Sequence, residues 1–268
     1  MQLLCPICHE ELKKEDRAYT CPNRHSFDIA RQGHVNLLPV QNKRSLQPGD
    51  TAEQVRSRRE FLDGGFYAPI AEALCALATD HGCHGPILDV GCGEGYYSAK
   101  LANHLDADLV GLDISKEAVR FAAGKYKVYR WLCASAARLP VKDSSAGLVT
   151  SLFALTVPGE FLRVLQPDGA YIQVLAAEDH LLGLKSIIYP ELLHKEKDSV
   201  PTIPGFRLLE SRAVRFTFTV EGQQVQNLLS MTPHVYRIGK EGAERLRQTQ
   251  TLTDTASCVL NLYIPEKG

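Results

Sequence analysis

The 268-residue sequence holds no apolar run approaching the roughly 18 to 20 residues that cross a bilayer. Its N-terminus lacks a basic segment followed by an apolar stretch, so neither a membrane span nor an export signal is expected, and a cytoplasmic location is. Neither sign of charge is in excess. Thirty Lys and Arg stand against 31 Asp and Glu, a net charge of -1, so the field of the whole molecule cannot draw in nucleic acid. An anionic partner must be held by a local basic surface. The low hydrophobicity and charge excess of a disordered chain are also missing, since 44% of residues are hydrophobic and 23% charged, enough for a sizeable core. At a rough 150 residues per domain, the length suggests about 1.8 domains: one ordinary domain and something small.

Eight cysteines in a long chain without an export signal point to thiols in a reducing compartment rather than to a disulfide framework. Cys75, Cys83, Cys92, Cys133 and Cys258 are scattered through apolar or loop contexts and read as small buried hydrophobes. The N-terminal set differs. Cys5-Pro6-Ile7-Cys8 and Cys21-Pro22-Asn23-Arg24-His25 form two pairs, each able to grip one metal from a tight turn, and together they offer a Cys3His tetrahedron suited to Zn2+. Four ligands leave no open position, so Cys5, Cys8, Cys21 and His25 are expected to hold a structural ion. Glu10 to Tyr19 is polar and too short to build a core, so the metal should supply the fold. His9, directly after Cys8, is badly placed to bind the same ion and is assigned to the surface.

His25 to Asp28 and Gly33 to Pro39 are apolar and aromatic enough to pack against this module. After the Pro48-Gly49-Asp50 turn, Thr51-Ala52-Glu53-Gln54 is a capping box that predicts a helix from about residue 52 to 62. Arg31, Lys43, Arg44, Arg56, Arg58 and Arg59 oppose Asp28, Asp50, Glu53 and Glu60 along this bridge. The modest basic surplus suits either RNA contact or a solvated helix face.

From residue 68 the pattern alternates between helices and strands, the signature of an α/β sheet with crossover connections. Ala68 to Asp80 is helical, and Pro86 to Val90 is a short buried strand that runs into Gly91-Cys92-Gly93-Glu94-Gly95 before a helix through Leu105. A glycine turn between strand and helix lets the backbone approach a ligand held at the helix N-terminus. A dinucleotide fingerprint would place its third glycine where Tyr96 stands. The Gly-x-Gly-x-Gly spacing, with Asp89 two residues ahead, instead resembles the first motif of class I S-adenosylmethionine-dependent methyltransferases. The second strand, Leu109 to Asp113, ends in a carboxylate placed to accept two ribose hydroxyls, and Val128 to Ala136 forms a third unit where that fold lays the adenine. Ala146 to Leu152 is strand four, and Gln166 to Gly169 turns into strand five.

Cys-Pro-x-Cys, Cys-Pro-x-x-His-x-Phe-Asp, Gly-x-Val-Asn-Leu-Leu, Pro-Gly-Asp, Arg-Arg-x-Phe-Leu-Asp-x-Gly and Asp-x-Gly-Cys-Gly-Glu-Gly-Tyr-Tyr occur in that order, and Ser230-Met231-Thr232-Pro233 follows. Together they resemble the bacterial 23S ribosomal RNA (guanine-N1)-methyltransferase family across nearly the whole chain. The resemblance implies a Rossmann-like class I core over residues 67-268, a zinc-binding module over 1-36 and a basic helical bridge over 37-66. It implies methyl transfer from S-adenosylmethionine to N1 of a guanine in a hairpin loop of large-subunit ribosomal RNA. The zinc module would help recognise the RNA, no membrane would be involved, and a homodimer is compatible. Tyr67, Asp89, Gly91, Gly93, Glu94, Gly95, Tyr96, Asp113 and His180 would line the cofactor site. Relatives usually carry a small residue and a proline directly after the fourth strand. This chain has Phe153-Ala154-Leu155-Thr156-Val157-Pro158, which bears on substrate choice or activity.

The sequence declares no general base. Asp143, Glu178 and Asp179 are acidic groups near strand ends, each equally at home as a solvated loop carboxylate. The region 150-158 lacks the Asn or Asp-Pro-Pro-aromatic run of exocyclic-amine methylation, and no cysteine lies between Cys133 and Cys258 for carbon-5 pyrimidine chemistry. The sequence leaves two other functions open: a small-molecule methyltransferase with a structural zinc module, and a zinc- and RNA-binding protein without turnover.

Overall fold

The computed structural model describes residues 1-39, 48-192 and 198-266; Lys43 and Arg44 of the bridge lie outside the described residues. Three short strands, β1 (Lys13–Lys14), β2 (Ala18–Thr20) and β3 (Ser26–Asp28), make a small antiparallel sheet in that order around the N-terminal cysteines. Val35 and Asn36 form β4. The bridge helix α1 (Ala52–Asp63) follows, and α2 (Ala68–Asp80) opens the core. Thr51 caps α1 as its spacing predicts: Gln54 N–H donates to Thr51 Oγ1 at 3.3 Å, and Thr51 N–H donates to Gln54 Oε1 at 2.9 Å.

The core alternates β5 (Ile87–Val90), α3 (Tyr96–His104), β6 (Leu109–Asp113), α4 (Lys116–Lys125), β7 (Arg130–Cys133), β8 (Ala146–Leu152), α5 (Pro158–Val164), β9 (Leu165–Ala176) and α6 (Leu182–Ile188). Beyond the motifs legible in the sequence stands a long antiparallel pair, β10 (Phe206–Glu221) and β11 (Thr251–Pro265). Helices α7 (Gln223–Ser230) and α8 (Lys240–Gln248) and a 3-10 turn at Pro233–Tyr236 are inserted between them. The eight-stranded sheet has the order β10-β11-β9-β8-β5-β6-β7-β4. Neighbours are parallel from β4 through β9, and antiparallel where β11 meets β9 and β10. Strand order reverses between β5 and β8, and a sheet of this kind opens a ligand crevice at the carboxyl ends of those two strands.

The N-terminal module shares its core with the sheet, which qualifies the expectation that metal alone supplies its fold. Leu3, Leu12 and Tyr19 are buried with Val35, Leu37, Leu132 and Val141 in one cluster. The backbone joins as well: Leu4 N–H donates to Pro140 O at 2.9 Å, and Leu37 N–H to Cys133 O at 2.8 Å. Val35 and Asn36, expected to pack on the metal module, pair with Leu132 and Cys133 as the edge strand beside β7. Alternation explains this, since Val35 and Leu37 point into the core and Asn36 points out.

Trp131 fixes how closely β6 and α3 approach. It is 1% exposed, its Nε1–H donates to Tyr126 O at 2.9 Å, and a Cβ on Gly95 would come within 2.5 Å of its ring. Gly95 also has φ 82°, the left-handed region. Gly82 has φ 60°, and a Cβ added there would meet nothing within 4 Å. Gly95→Ala should therefore cost about 2 kcal/mol or more, backbone strain plus overpacking. Gly82→Ala should cost about 1 kcal/mol. Urea midpoints of the two variants test this, and equal midpoints would exclude Trp131 as the constraint.

Candidate functional site

The N-terminal cysteines and His25 converge. Cys5 Sγ and Cys21 Sγ lie 3.5 and 3.4 Å from His25 Nδ1, Cys8 Sγ lies 3.6 Å from Cys21 Sγ, and all four ligand atoms fall within 4.8 Å of one another. A tetrahedral Zn2+ at about 2.3 Å from sulfur and 2.0 Å from nitrogen requires S···S near 3.7 Å and S···N near 3.5 Å, so the donor set fits that ion. His9 at φ 63° and Arg24 at φ 62° close the two knuckle turns, and His9 stands outside the cluster. The Glu10 backbone N–H draws the Cys8 thiol down to about 6, toward the thiolate that binds metal. None of the eight cysteines, all among the described residues, is joined in a disulfide; Cys92, Cys133 and Cys258 are buried, and Cys75 and Cys83 are half-buried.

A cavity of about 950 Å³ occupies the crevice between β5 and β8. The turn after β5 forms its floor, with Gly91, Gly93 and Gly95 at φ 82°, 55° and 82°. Asp113, at the end of β6, accepts Gly93 N–H at 3.0 Å and Ser115 N–H at 2.8 Å, one on each carboxylate oxygen. Its carboxyl group is pushed up by burial, against those two hydrogen bonds. Above it crosses the chain entering α1: Ser115 Oγ donates to Asp50 O at 2.7 Å, and a Cβ on Gly49 would meet Ser115 Cβ at 2.8 Å. Ala134, Ser135 and Ala136 line the same end, where the third unit was expected to receive the adenine.

Charge inside the cavity is lopsided. Asp89 is 2% exposed and accepts the Ser98 and Thr150 hydroxyls, the latter at 2.7 Å; burial raises its carboxyl group to about 6. Glu94 is raised to about 7, chiefly by burial, with Arg58 working against the rise. Among the described residues, its Oε2 is buried without a hydrogen-bond partner, as is Tyr97 Oη. Arg58 pairs with Asp50 at 2.5 Å and interacts electrostatically with Glu94 and Asp113. With Arg58 already paired to Asp50, the buried Asp89 and Glu94 and the half-buried Asp113 leave an excess of carboxylates on this floor that suits a cationic ligand, and Glu94 Oε2 is an acceptor that still needs a donor. S-adenosylmethionine, with its ammonium, sulfonium and ribose hydroxyls, fits this donor and charge pattern.

Tyr67 and His180, far apart in sequence, meet at the other end. Ser257 N–H donates to His180 Nδ1 at 3.1 Å, so the imidazole proton sits on Nε2, 3.4 Å from Tyr67 Oη. Asp89, Gly91, Gly93, Glu94 and Asp113 all line the cavity with them. Gly95 and Tyr96 do not. Gly95 packs on Trp131, and the Tyr96 ring lies in the core under Lys100 Nζ at 4.6 Å, so the helical turn brings Tyr97 round to the ligand side instead. Asp143 sits at the opposite end of the sheet, before β8, and is paired with Arg163 at 2.7 Å. Glu178 and Asp179 are outside the lining, and Asp179 pairs with Arg215 at 2.9 Å.

The arginines of α1 separate. Gln54, Arg58 and Leu62 share a face and line the cavity; the spacing of four residues was the signal that could have placed Arg58 there. Arg59 lies 5.0 Å from the Phe121 ring centre, and Arg56 is exposed. Met231, Thr232 and Pro233, from the insertion between β10 and β11, close another wall.

Residues 3-46 match the family model for the RlmA N-terminal zinc ribbon, and residues 87-169 match a methyltransferase-domain model. A 23S rRNA (guanine(748)-N(1))-methyltransferase of Streptomyces fradiae is 33% identical over 241 residues, 86% of this chain and 84% of that one. A Micromonospora griseorubida protein assigned by name as a 23S rRNA (guanine-N1)-methyltransferase is 36% identical over 203 residues, 68% of each chain. Among solved structures, an Anaeromyxobacter dehalogenans protein assigned as a type II methyltransferase superimposes with a TM-score of 0.50 at 19% identity. It covers 72% of this chain and 97% of its own, and carries the fold alone. Zinc ribbon and methyltransferase core are thus matched in order and joined by relatives spanning both, and the chain belongs to the 23S ribosomal RNA (guanine-N1)-methyltransferase family.

Proposed function

We propose that the chain transfers a methyl group from S-adenosylmethionine to N1 of a guanine in a hairpin loop of large-subunit ribosomal RNA. The observation that carries this is the cavity at the strand-order reversal. It is acidic on its floor and lined by the apolar Phe153, Ala154 and Leu155 where the chain leaves β8, within a fold whose relatives bear that activity by name. When bound, S-adenosylmethionine supplies a methyl carbon made electrophilic by its sulfonium. Asp113 accepts the ribose hydroxyls, and Glu94 and Asp89 offset positive charge. The His180 Nε2–H, fixed by Ser257, acts as a donor and not as a base. Rate gain in such an in-line displacement comes largely from holding nucleophile and carbon near 3 to 3.5 Å. Cys5, Cys8, Cys21 and His25 hold the zinc, and the ribbon they fold helps to engage the RNA.

Labelled-methyl transfer to unmodified ribosomal RNA, mapped by primer extension, tests the assignment. A single stop at a loop guanine is expected; label moving only to small acceptors, or to nothing, would refute it. Cys5→Ser, or zinc removal by a chelator, should weaken RNA binding and leave cofactor affinity unchanged. Asp113→Ala should weaken the cofactor about tenfold or more, the loss of charged hydrogen bonds; calorimetry reads this directly. Because the Glu94 carboxyl rises from 4.5 to about 7 on burial, the folded cofactor-free chain holds a proton that the unfolded chain loses across that interval. Its contribution to stability therefore falls as pH rises from 4.5 to about 7. A cationic ligand favours the ionised form, so cofactor affinity should climb several-fold between pH 6 and 7.5, and Glu94→Gln should remove most of that climb.

A further inference from the structure

The loop after β8 is anchored from beneath along its length. Phe153 N–H donates to Val174 O at 2.9 Å, and Ala154 packs so closely on Gly91 that a Cβ there would come within 2.5 Å of the Ala154 Cβ. Ser151 Oγ donates to Leu155 O at 3.4 Å. Thr156 Oγ1 shares a 2.7 Å hydrogen bond with Tyr171 Oη and accepts Gln173 Nε2–H at 2.8 Å. This rigid loop nevertheless leaves two apolar side chains exposed at the cavity, Phe153 at 43% and Leu155 at 68%. Phe153 also has φ 53°, a left-handed conformation that glycine adopts freely and a bulky residue does not. Its ring centre lies 6.2 Å from that of His180, tilted by 32°. Packing gives no reason for an exposed aromatic ring on a strained backbone. A ligand entering the cavity does.

A base taken out of a hairpin loop gives up its stacking on neighbouring bases, and protein aromatic rings restore it. We propose that Phe153 is the stacking platform for the acceptor guanine, selecting a purine ring and orienting its N1 toward the methyl donor. This rests on the function proposed above. Phe153 is the first residue beyond β8 and lines the cofactor cavity, so a base lying on its ring enters that cavity and not a separate surface.

The test uses the full chain and a hairpin transcript of the large-subunit RNA region in which the wild-type chain's methylated guanine has been mapped. Phe153→Leu keeps an apolar side chain and removes the ring. Its kcat/KM for the hairpin should fall about tenfold or more, with cofactor affinity and melting temperature unchanged. Removing the target base should weaken binding to the wild-type chain and have little further effect on the leucine variant. Phe153→Trp should remain active, and its fluorescence should be quenched when the hairpin binds. Undiminished transfer by Phe153→Leu, equal losses on intact and abasic hairpins, or a tryptophan that RNA does not quench would each overturn the stacking role alone. No transfer by the wild-type chain to any hairpin would overturn the proposed function and this role with it.

Discussion

Burying a carboxylate at the heart of the sheet is the constraint on which the site depends. Asp89 is two residues from the glycine turn and must find donors for both oxygens once water is gone. It takes them from Ser98 on α3 and Thr150 on β8, so one side chain ties the central strand, the following helix and the neighbouring strand together at the reversal of strand order. The remaining rise of its carboxyl group to about 6 shows that two hydroxyls offset only part of the desolvation. With those elements locked, the turn has little room. It leaves β5 through three left-handed glycines, presses Gly91 on Ala154 and Gly95 on Trp131, and delivers Glu94 and Tyr97 to the cavity.

The N-terminal module is held together differently. Its strands are two or three residues long, too short for an independent sheet. It combines two partial solutions: a four-ligand metal cluster, and Leu3, Leu12 and Tyr19 inserted beside strands of the core. The bridge between Leu3 and Val141 and the edge strand at Val35 and Asn36 make the attachment firm at both ends of the module. Metal therefore fixes the shape of the ribbon, while hydrophobic contact fixes where it sits against the methyltransferase sheet.

Much of this was legible in the sequence, because the informative residues are local. The capping box at Thr51 and Gln54, Asp89 within β5 and Asp113 at the end of β6, the glycine spacing and the two cysteine pairs each act over a few residues, and each stands where its spacing placed it. What escaped depends on direction or distance. Tyr96 and Tyr97 are adjacent, and only the orientation of α3 decides which faces the ligand. Arg58 and Arg59 look alike in a basic run, yet one enters the cavity and the other covers Phe121. Asp143 looked close to the site in sequence, but it precedes β8, at the end of the sheet away from the crevice. The β10 and β11 strands carry no motif; the Ser230-Met231-Thr232-Pro233 run lies in the insertion between them, and only the fold reveals that it supplies a wall of the cavity.

Near-neutrality takes on a different meaning once charges have positions. Asp89, Glu94 and Asp113 line the cavity, so their negative charge faces inward and, on the proposed function, would meet a cationic ligand. Arg31 and Arg56 remain exposed. The surface an RNA meets is thus less acidic than a net charge of -1 suggests. It is still not strongly basic, so counterion release can supply only part of the affinity, and binding should lose little on adding salt compared with a protein that neutralises many phosphates. Recognition must then come from shape and from stacking at the cavity mouth. On the proposed function, an exposed aromatic ring beside an acidic, partly buried floor divides the work in that way: charge would hold the methyl donor, and apolar contact the base.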